Sequence, residues 1–150
     1  MIWRVEVRPS ESDPQADPIA SSVKRHLAEL GVDGGDVVAS RVYLLQSDAD
    51  RERVVDAPRT LLSDEIVERA TVAGERPEGG GGSVLEVHLK PGVTDPVASS
   101  TEMALRDRGI EAQVRTGRAF RFSKPVKPEV LRTLASRYLA NAVIEKIVLE

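Results

Sequence analysis

Side chains able to do chemistry are few in this chain of 150 residues, and they are scattered. Cysteine is absent, which removes disulfides, thiolate metal ligands and a cysteine nucleophile together. The two histidines, His26 and His88, stand apart, one in a helical stretch and one in a strand stretch whose alternation sets it on the solvent side with Glu86 and Lys90. Two isolated imidazoles make no metal site. The pairs Ser21-Ser22 and Ser99-Ser100 lie near helix starts where free amides can hold a phosphate. Asp17 and Asp95 already put negative charge at both places, so plain capping is the better reading. Gly79 to Gly82 lack both the Lys-Ser/Thr of a P-loop and the spaced glycines of a dinucleotide site. The expected catalytic, metal and cofactor-binding residues are therefore none. What remains is a group suited to contact with a partner protein: Arg115, Gly117 and Arg118, with the counterpart Arg41. A glycine inside a strand often marks close backbone approach, although Gly117 could merely bend a long strand and leave the arginines solvated.

The elements that position these residues come in two sets. Asp17-Pro18-Ile19-Ala20-Ser21-Ser22 with Gly31-Val32 is answered by Asp95-Pro96-Val97-Ala98-Ser99-Ser100 with Gly109-Ile110. Asp17 to Asp95, Leu27 to Leu105 and Gly31 to Gly109 are each 78 positions apart, which reads as an internal duplication. Each copy has Asp at the N-cap, Pro at N1 and Gly just past the end, so each predicts a helix of about four turns. Ile19, Val23, Leu27 and Leu30, and Val97, Thr101, Ala104 and Leu105, recur at helical spacing as the inward faces.

Strict alternation predicts strands over 3–8 and 84–90, with Trp3, Val5, Val7 and Leu85, Val87, Leu89 inward. Residues 37–45 and 113–122 predict long second strands, interrupted or bent near Ser40 and Gly117. Ser47 opens a further helix that Pro58 should kink or split, and Pro128 opens another with Leu131, Leu134, Ala135 and Tyr138 as its buried stripe and Asn141 at C′. Closing strands are expected over 66–72 and 142–149. Residues 74–83 are low in complexity and read as a tether, with a root-mean-square reach of about 17 Å for such a composition. The divisions expected are 1–73, a linker at 74–83, and 84–150.

A formal net charge of −3 without a Lys/Arg block, and only five Phe, Trp and Tyr side chains, disfavour nucleic acid as a partner. No apolar run reaches the roughly 18 residues of a membrane span, and the first residues alternate instead of forming a signal peptide's apolar block, so a cytoplasmic protein is expected.

Three blocks stand in order in the second half: Leu89-Lys90-Pro91-Gly92-Val93-Thr94-Asp95-Pro96, Val114-Arg115-Thr116-Gly117-Arg118, and Leu139-Ala140-Asn141-Ala142-Val143-Ile144-Glu145. Together they resemble the PurS family, the small subunit of phosphoribosylformylglycinamidine (FGAM) synthase in purine biosynthesis. Ala142 stands where that family usually has Pro. The first half keeps the helix block and a faded third block, Leu62 to Glu68, but lacks Gly-Val after Pro9 and a Gly before Arg41, and so looks like a diverged second copy. Such a tandem is similar to the N-terminal PurS-like domain of the large fused synthetases.

The resemblance implies an α+β fold of two PurS-like, ferredoxin-like-related βαβαβ halves, with mostly antiparallel sheets covered by helices, arranged as a pseudo-dimer that could oligomerise further. It implies a component without its own active site, partnered by the synthetase (PurL), which activates an amide with ATP, and by the glutaminase (PurQ), which releases ammonia from glutamine. Glutaminases of that type use a cysteine thiolate, which this chain lacks. A tandem ferredoxin-like regulator binding a small effector is the alternative, and calorimetry against amino acids and nucleotides separates the two. Steady turnover by the chain alone would instead reveal a stand-alone enzyme.

Overall fold

Both repeated helices start and stop where their punctuation places them. The computed structural model describes residues 2–9, 17–50, 52–54, 56–57, 68–72, 82–90, 92–141 and 145–149. Helix α1 spans Pro18–Glu29 and helix α2 spans Pro96–Asp107. Asp17 Oδ1 accepts from the amides of Ile19 at 2.9 Å and Ala20 at 3.4 Å, and Asp95 Oδ1 accepts from Ala98 at 3.0 Å. At the other ends Gly31 and Gly109 adopt φ of +78° and +75°. There the amide of Val32 reaches back to Leu27 O (3.2 Å) and that of Ile110 to Leu105 O (2.9 Å), so both helices close in Schellman turns.

The faces they bury differ from expectation by one position at the N-terminal end. Ala20, Val23 and Leu27, and Ala98, Thr101 and Leu105, are buried, whereas Ile19 and Val97 are 60% and 54% exposed. Close helix-to-sheet packing takes the small side chain and leaves its larger neighbour outside.

The strands are β1 (Ile2–Pro9), β2 (Val37–Gln46), β3 (Glu68–Val72), β4 (Val84–Leu89), β5 (Gln113–Phe122) and β6 (Glu145–Leu149). β2 and β5 are each one continuous strand of 10 residues, so neither is interrupted. Helical residues are described at 52–54 and 56–57; the kink expected at Pro58 lies outside the described residues. So do 66–67 and 142–144, the starts of the two expected closing strands.

The chain forms two compact units: Met1–Glu11, Arg41–Pro77 and Thr94–Gly117 in one, and Ser12–Ser40, Glu78–Val93 and Arg118–Glu150 in the other. Two of the five divisions fall within β2 and β5, after Ser40 and Gly117, yet both strands run through these points without the interruption expected there.

In the first unit β1 lies antiparallel between β3 and β2, with registers Val5↔Val72 and Val5↔Tyr43, and β2 also neighbours β5. Its core gathers Trp3, Val5 and Val7 of β1, Tyr43 and Leu45 of β2, Val54, Ala57, and Ala98, Leu105, Ile110 and Val114.

In the second unit β4 lies between β5 and β6 and is antiparallel to β6, with Val87 opposite Ile147. The core joins Ala20, Val23 and Leu27 of α1 to Leu85, Val87, Phe120 and Phe122, and to Leu131 and Leu134 of helix α3 (Pro128–Leu134). A π-helical turn, Ala135–Leu139, follows α3, with Ala140 N bonded to Ala135 O at 2.8 Å. Tyr138 is 38% exposed and is not part of the buried stripe, because the wider turn rotates it off the face that Leu131 and Leu134 share. Asn141 follows the turn, but without the left-handed backbone of a C′ residue. The architecture is α+β, with antiparallel strand pairs and helices packed on them.

Among the described residues, no helix is long and apolar enough to cross a membrane.

Candidate functional site

The three blocks that stood out in the second half are tied to one another by side chains. In the first unit Asp95 does two jobs. While Oδ1 caps α2, Oδ2 accepts from the Thr116 amide at 3.0 Å and from the Thr116 hydroxyl at 2.8 Å. The carboxylate at the helix start thus pins the middle of β5, joining the first block to the second. Glu102, two turns into α2, adds a bond from Val114 N at 2.9 Å.

In the second unit Arg118 joins the second block to the third. Its Nη2 donates to Leu139 O at 2.7 Å and pairs with Glu145 Oε2 at 3.0 Å. Glu145 Oε1 accepts from Asn141 N at 3.0 Å, and Glu145 N returns to Asn141 O at 2.7 Å. Leu139 and Glu145, at the two ends of this block, are therefore held by one guanidinium. A planar, permanently charged fork suits this better than an ammonium would.

Of the residues singled out in the sequence, Arg118 carries these internal bonds while keeping 45% of its side chain exposed. Arg41 and Arg115 are exposed, on the neighbouring strands β2 and β5 of the first unit, with Arg41 opposite Val7 of β1. Gly117 ends the last segment of the first unit and Arg118 opens the last segment of the second. Sequence reasoning quoted Thr116 and Glu145 without assigning them a role. The available signal was that a capping Asp has two oxygens and needs only one for the helix.

The histidines are placed differently from expectation. His88 is 7% exposed and does not face solvent. Its Nε2 lies 3.0 Å from Glu86 Oε2, and Glu86 is itself 3% exposed. Alternation sorted these side chains onto a common face correctly, but it does not tell whether that face meets water. β1 repeats the arrangement, with Arg4 Nη2 3.3 Å from Glu6 Oε2 and Glu6 buried. His26 stacks on the Tyr138 ring with centroids 3.9 Å apart and planes 10° apart, and Tyr138 donates to Glu29 Oε2 at 3.3 Å.

A second polar cluster closes the loop after α1. Lys124 Nζ meets Asp33 Oδ2 at 2.6 Å, Gly35 N donates to Asp33 Oδ1 at 2.9 Å, and Asp36 N donates to Ser123 Oγ at 2.7 Å. The hydrogen bond from Lys124 holds the Asp33 carboxyl below its usual range, and the same bond raises Lys124. Among the described residues no three His, Cys, Asp or Glu side chains converge as metal ligands would.

The fold and these braces define an antiparallel α+β module of ferredoxin-like kind, in which the carboxylate at the start of α2 fixes the middle of a long strand. A family model described as PurS, Phosphoribosylformylglycinamidine (FGAM) synthase, matches residues 83–150. This stretch contains all three blocks, and it supports a PurS relationship and a link to FGAM synthase for the second half of the chain. No curated protein matches the chain.

Proposed function

We propose that the chain is a non-catalytic, PurS-like component of FGAM synthase, a tandem of two copies acting as a pseudo-dimer that assembles the synthetase and the glutaminase for ammonia transfer. The family match over 83–150 carries the link to purine biosynthesis. The tandem reading is supported by element bounds: Pro18–Glu29 becomes Pro96–Asp107 on adding 78 to both ends, Glu68–Val72 becomes Glu145–Leu149 on adding 77, and Val37–Gln46 becomes Gln113–Phe122 on adding 76. The compact units obey the same relation. Shifting 1–11 forward by 78 gives 79–89 and shifting 41–72 forward by 78 gives 119–150, both in the second unit, and shifting 94–117 back by 78 gives 16–39, again in the second unit. In this reading Arg41, Arg115, Gly117 and Arg118 lie on the partner-facing surface, with Arg118 also bracing the third block from within.

Reconstitution tests the proposal. Adding the chain to synthetase and glutaminase should raise glutamine-dependent amidation and promote assembly, while amidation driven by free ammonia should stay unchanged. Glutamine-dependent turnover and complex mass that are both indifferent to the chain would refute it.

A further inference from the structure

Each repeated helix packs mainly on strands of the other half of the sequence, its own half's long strand adding Val37 beside α1 and Val114 beside α2. Helix α1, from the first half, buries Ala20, Val23 and Leu27 with Leu85, Val87, Phe120 and Phe122 of the second half. Helix α2, from the second half, buries Ala98 and Leu105 with Trp3, Val5, Val7, Tyr43 and Leu45 of the first. We infer that the two halves of the sequence fold only as a pair, each lending its repeated helix to complete the other's core, and that residues 74–83 keep them at high mutual concentration without creating the fold.

Alongside the bonds that tie α2 to β5 of its own half, other polar contacts cross between the halves inside each unit. In the first, Ser47 Oγ donates to Glu111 O at 2.6 Å, and Arg53 Nη2 donates to Arg108 O, at the C-cap of the borrowed helix, at 2.8 Å. In the second, the loop after α1 is fastened to Ser123 and Lys124, and His26 stacks on Tyr138. A half on its own would expose two faces at once: the buried side of its helix, and the strand surface that the other half's helix covers. Leu27 and Leu105 are each 1% exposed, so both faces are core surface rather than rim. A module of about 70 residues is already marginal for an independent core, and losing one helix strips much of the helical cover from its strands.

The inference does not depend on the purine assignment, because it concerns the core alone. It is tested on the full chain carrying a protease site inserted between Gly79 and Gly80, folded first and cleaved afterwards. The two fragments should co-elute at the mass of the uncut chain, and their melting midpoint should become dependent on protein concentration while that of the uncut chain does not. Fragments that separate in native buffer and each melt cooperatively would overturn the inference.

Hydrogen exchange on chains with the native linker gives a second reading that does not rely on the insertion. Leu85→Ala should speed exchange at the α1 amides at least tenfold more than at α2, and Val5→Ala should do the reverse. Loosening of the helix in the mutated half, or equal loosening of both helices by either variant, would count against the exchange.

Discussion

At the scale of single residues, Asp95 is the side chain on which most local order converges. Asp17 caps its helix with two amide bonds, whereas Asp95 also holds Thr116 through both an amide and a hydroxyl. Replacing a capping Asp with Ala costs about 1 kcal/mol. Leaving the Thr116 donors unanswered adds about 1–2 kcal/mol. Asp95→Ala should therefore lower the urea midpoint clearly more than Asp17→Ala, at unchanged m. The Asp33–Lys124 pair makes a pH argument of known sign. Asp33 is depressed below 3.8 in the fold, so its contribution is present above that value and fades as pH falls through the folded-state value. Lys124 is raised above 10.5, so its contribution is present below that value and is lost as pH climbs through the folded-state value. Both groups are solvent-exposed, and the effect should be small and salt-sensitive. Lys124→Met should return the Asp33 titration, followed by carboxyl-carbon NMR, toward its ordinary value. It should also flatten the acid and alkaline limbs of the stability profile, and an unmoved Asp33 would dismiss the pair.

At the scale of elements, the helices were legible because their ends are written in local chemistry. Asp-Pro sets the start and Gly the stop, and neither needs knowledge of what packs nearby. Their inward faces were legible only to within one position. Bulk favoured Ile19 and Val97, while contact distance selected Ala20 and Ala98, and contact distance is a tertiary property. His88 shows the same limit for a strand, where the two-residue period says which side chains are neighbours but not what covers them. Tyr138 was displaced by a π-helical turn, which hydrophobic spacing at 3.6 residues does not register. The helix stops permit a graded test. A Cβ at Gly31 would meet nothing within 4 Å, so Gly31→Ala is disfavoured by its left-handed backbone alone, about 1–2 kcal/mol. At Gly109 the same strain applies, and the Cβ would lie 2.7 Å from Arg53 Nη2, displacing it from Arg108 O. Gly109→Ala should be the more destabilising of the two, and Arg53→Ala should remove most of the difference between them. An unchanged difference between the two glycine variants in the Arg53→Ala background would show that the contact is irrelevant.

At the scale of the whole molecule, the tether and its anchor call for opposite treatment, although both are rich in glycine. A Cβ on Gly82 would overlap Phe122 O, a backbone atom unable to swing away. Beside it Ser83 is buried, its hydroxyl donating to Val126 O at 3.1 Å and accepting from Val126 N at 2.8 Å, while Ser83 O takes the Phe122 amide at 2.9 Å. One added methyl at Gly82 therefore forces backbone apart inside the second unit, a change costing about 1–3 kcal/mol. Lengthening the tether acts on a different quantity, the entropy of bringing the two halves of the chain together, which grows only with the logarithm of length. Doubling the ten residues of 74–83 by inserting ten Gly and Ser residues after Gly79 should cost about 0.6 kcal/mol, with the same m value and the same glutamine-dependent rate in reconstitution. Gly82→Ala should cost more than that entire insertion. If the insertion proves the more damaging, residues 74–83 are a spacer of defined length and the two halves are positioned by their connection. If the methyl is worse, the halves are positioned by the helices they exchange, and the connection only keeps them close.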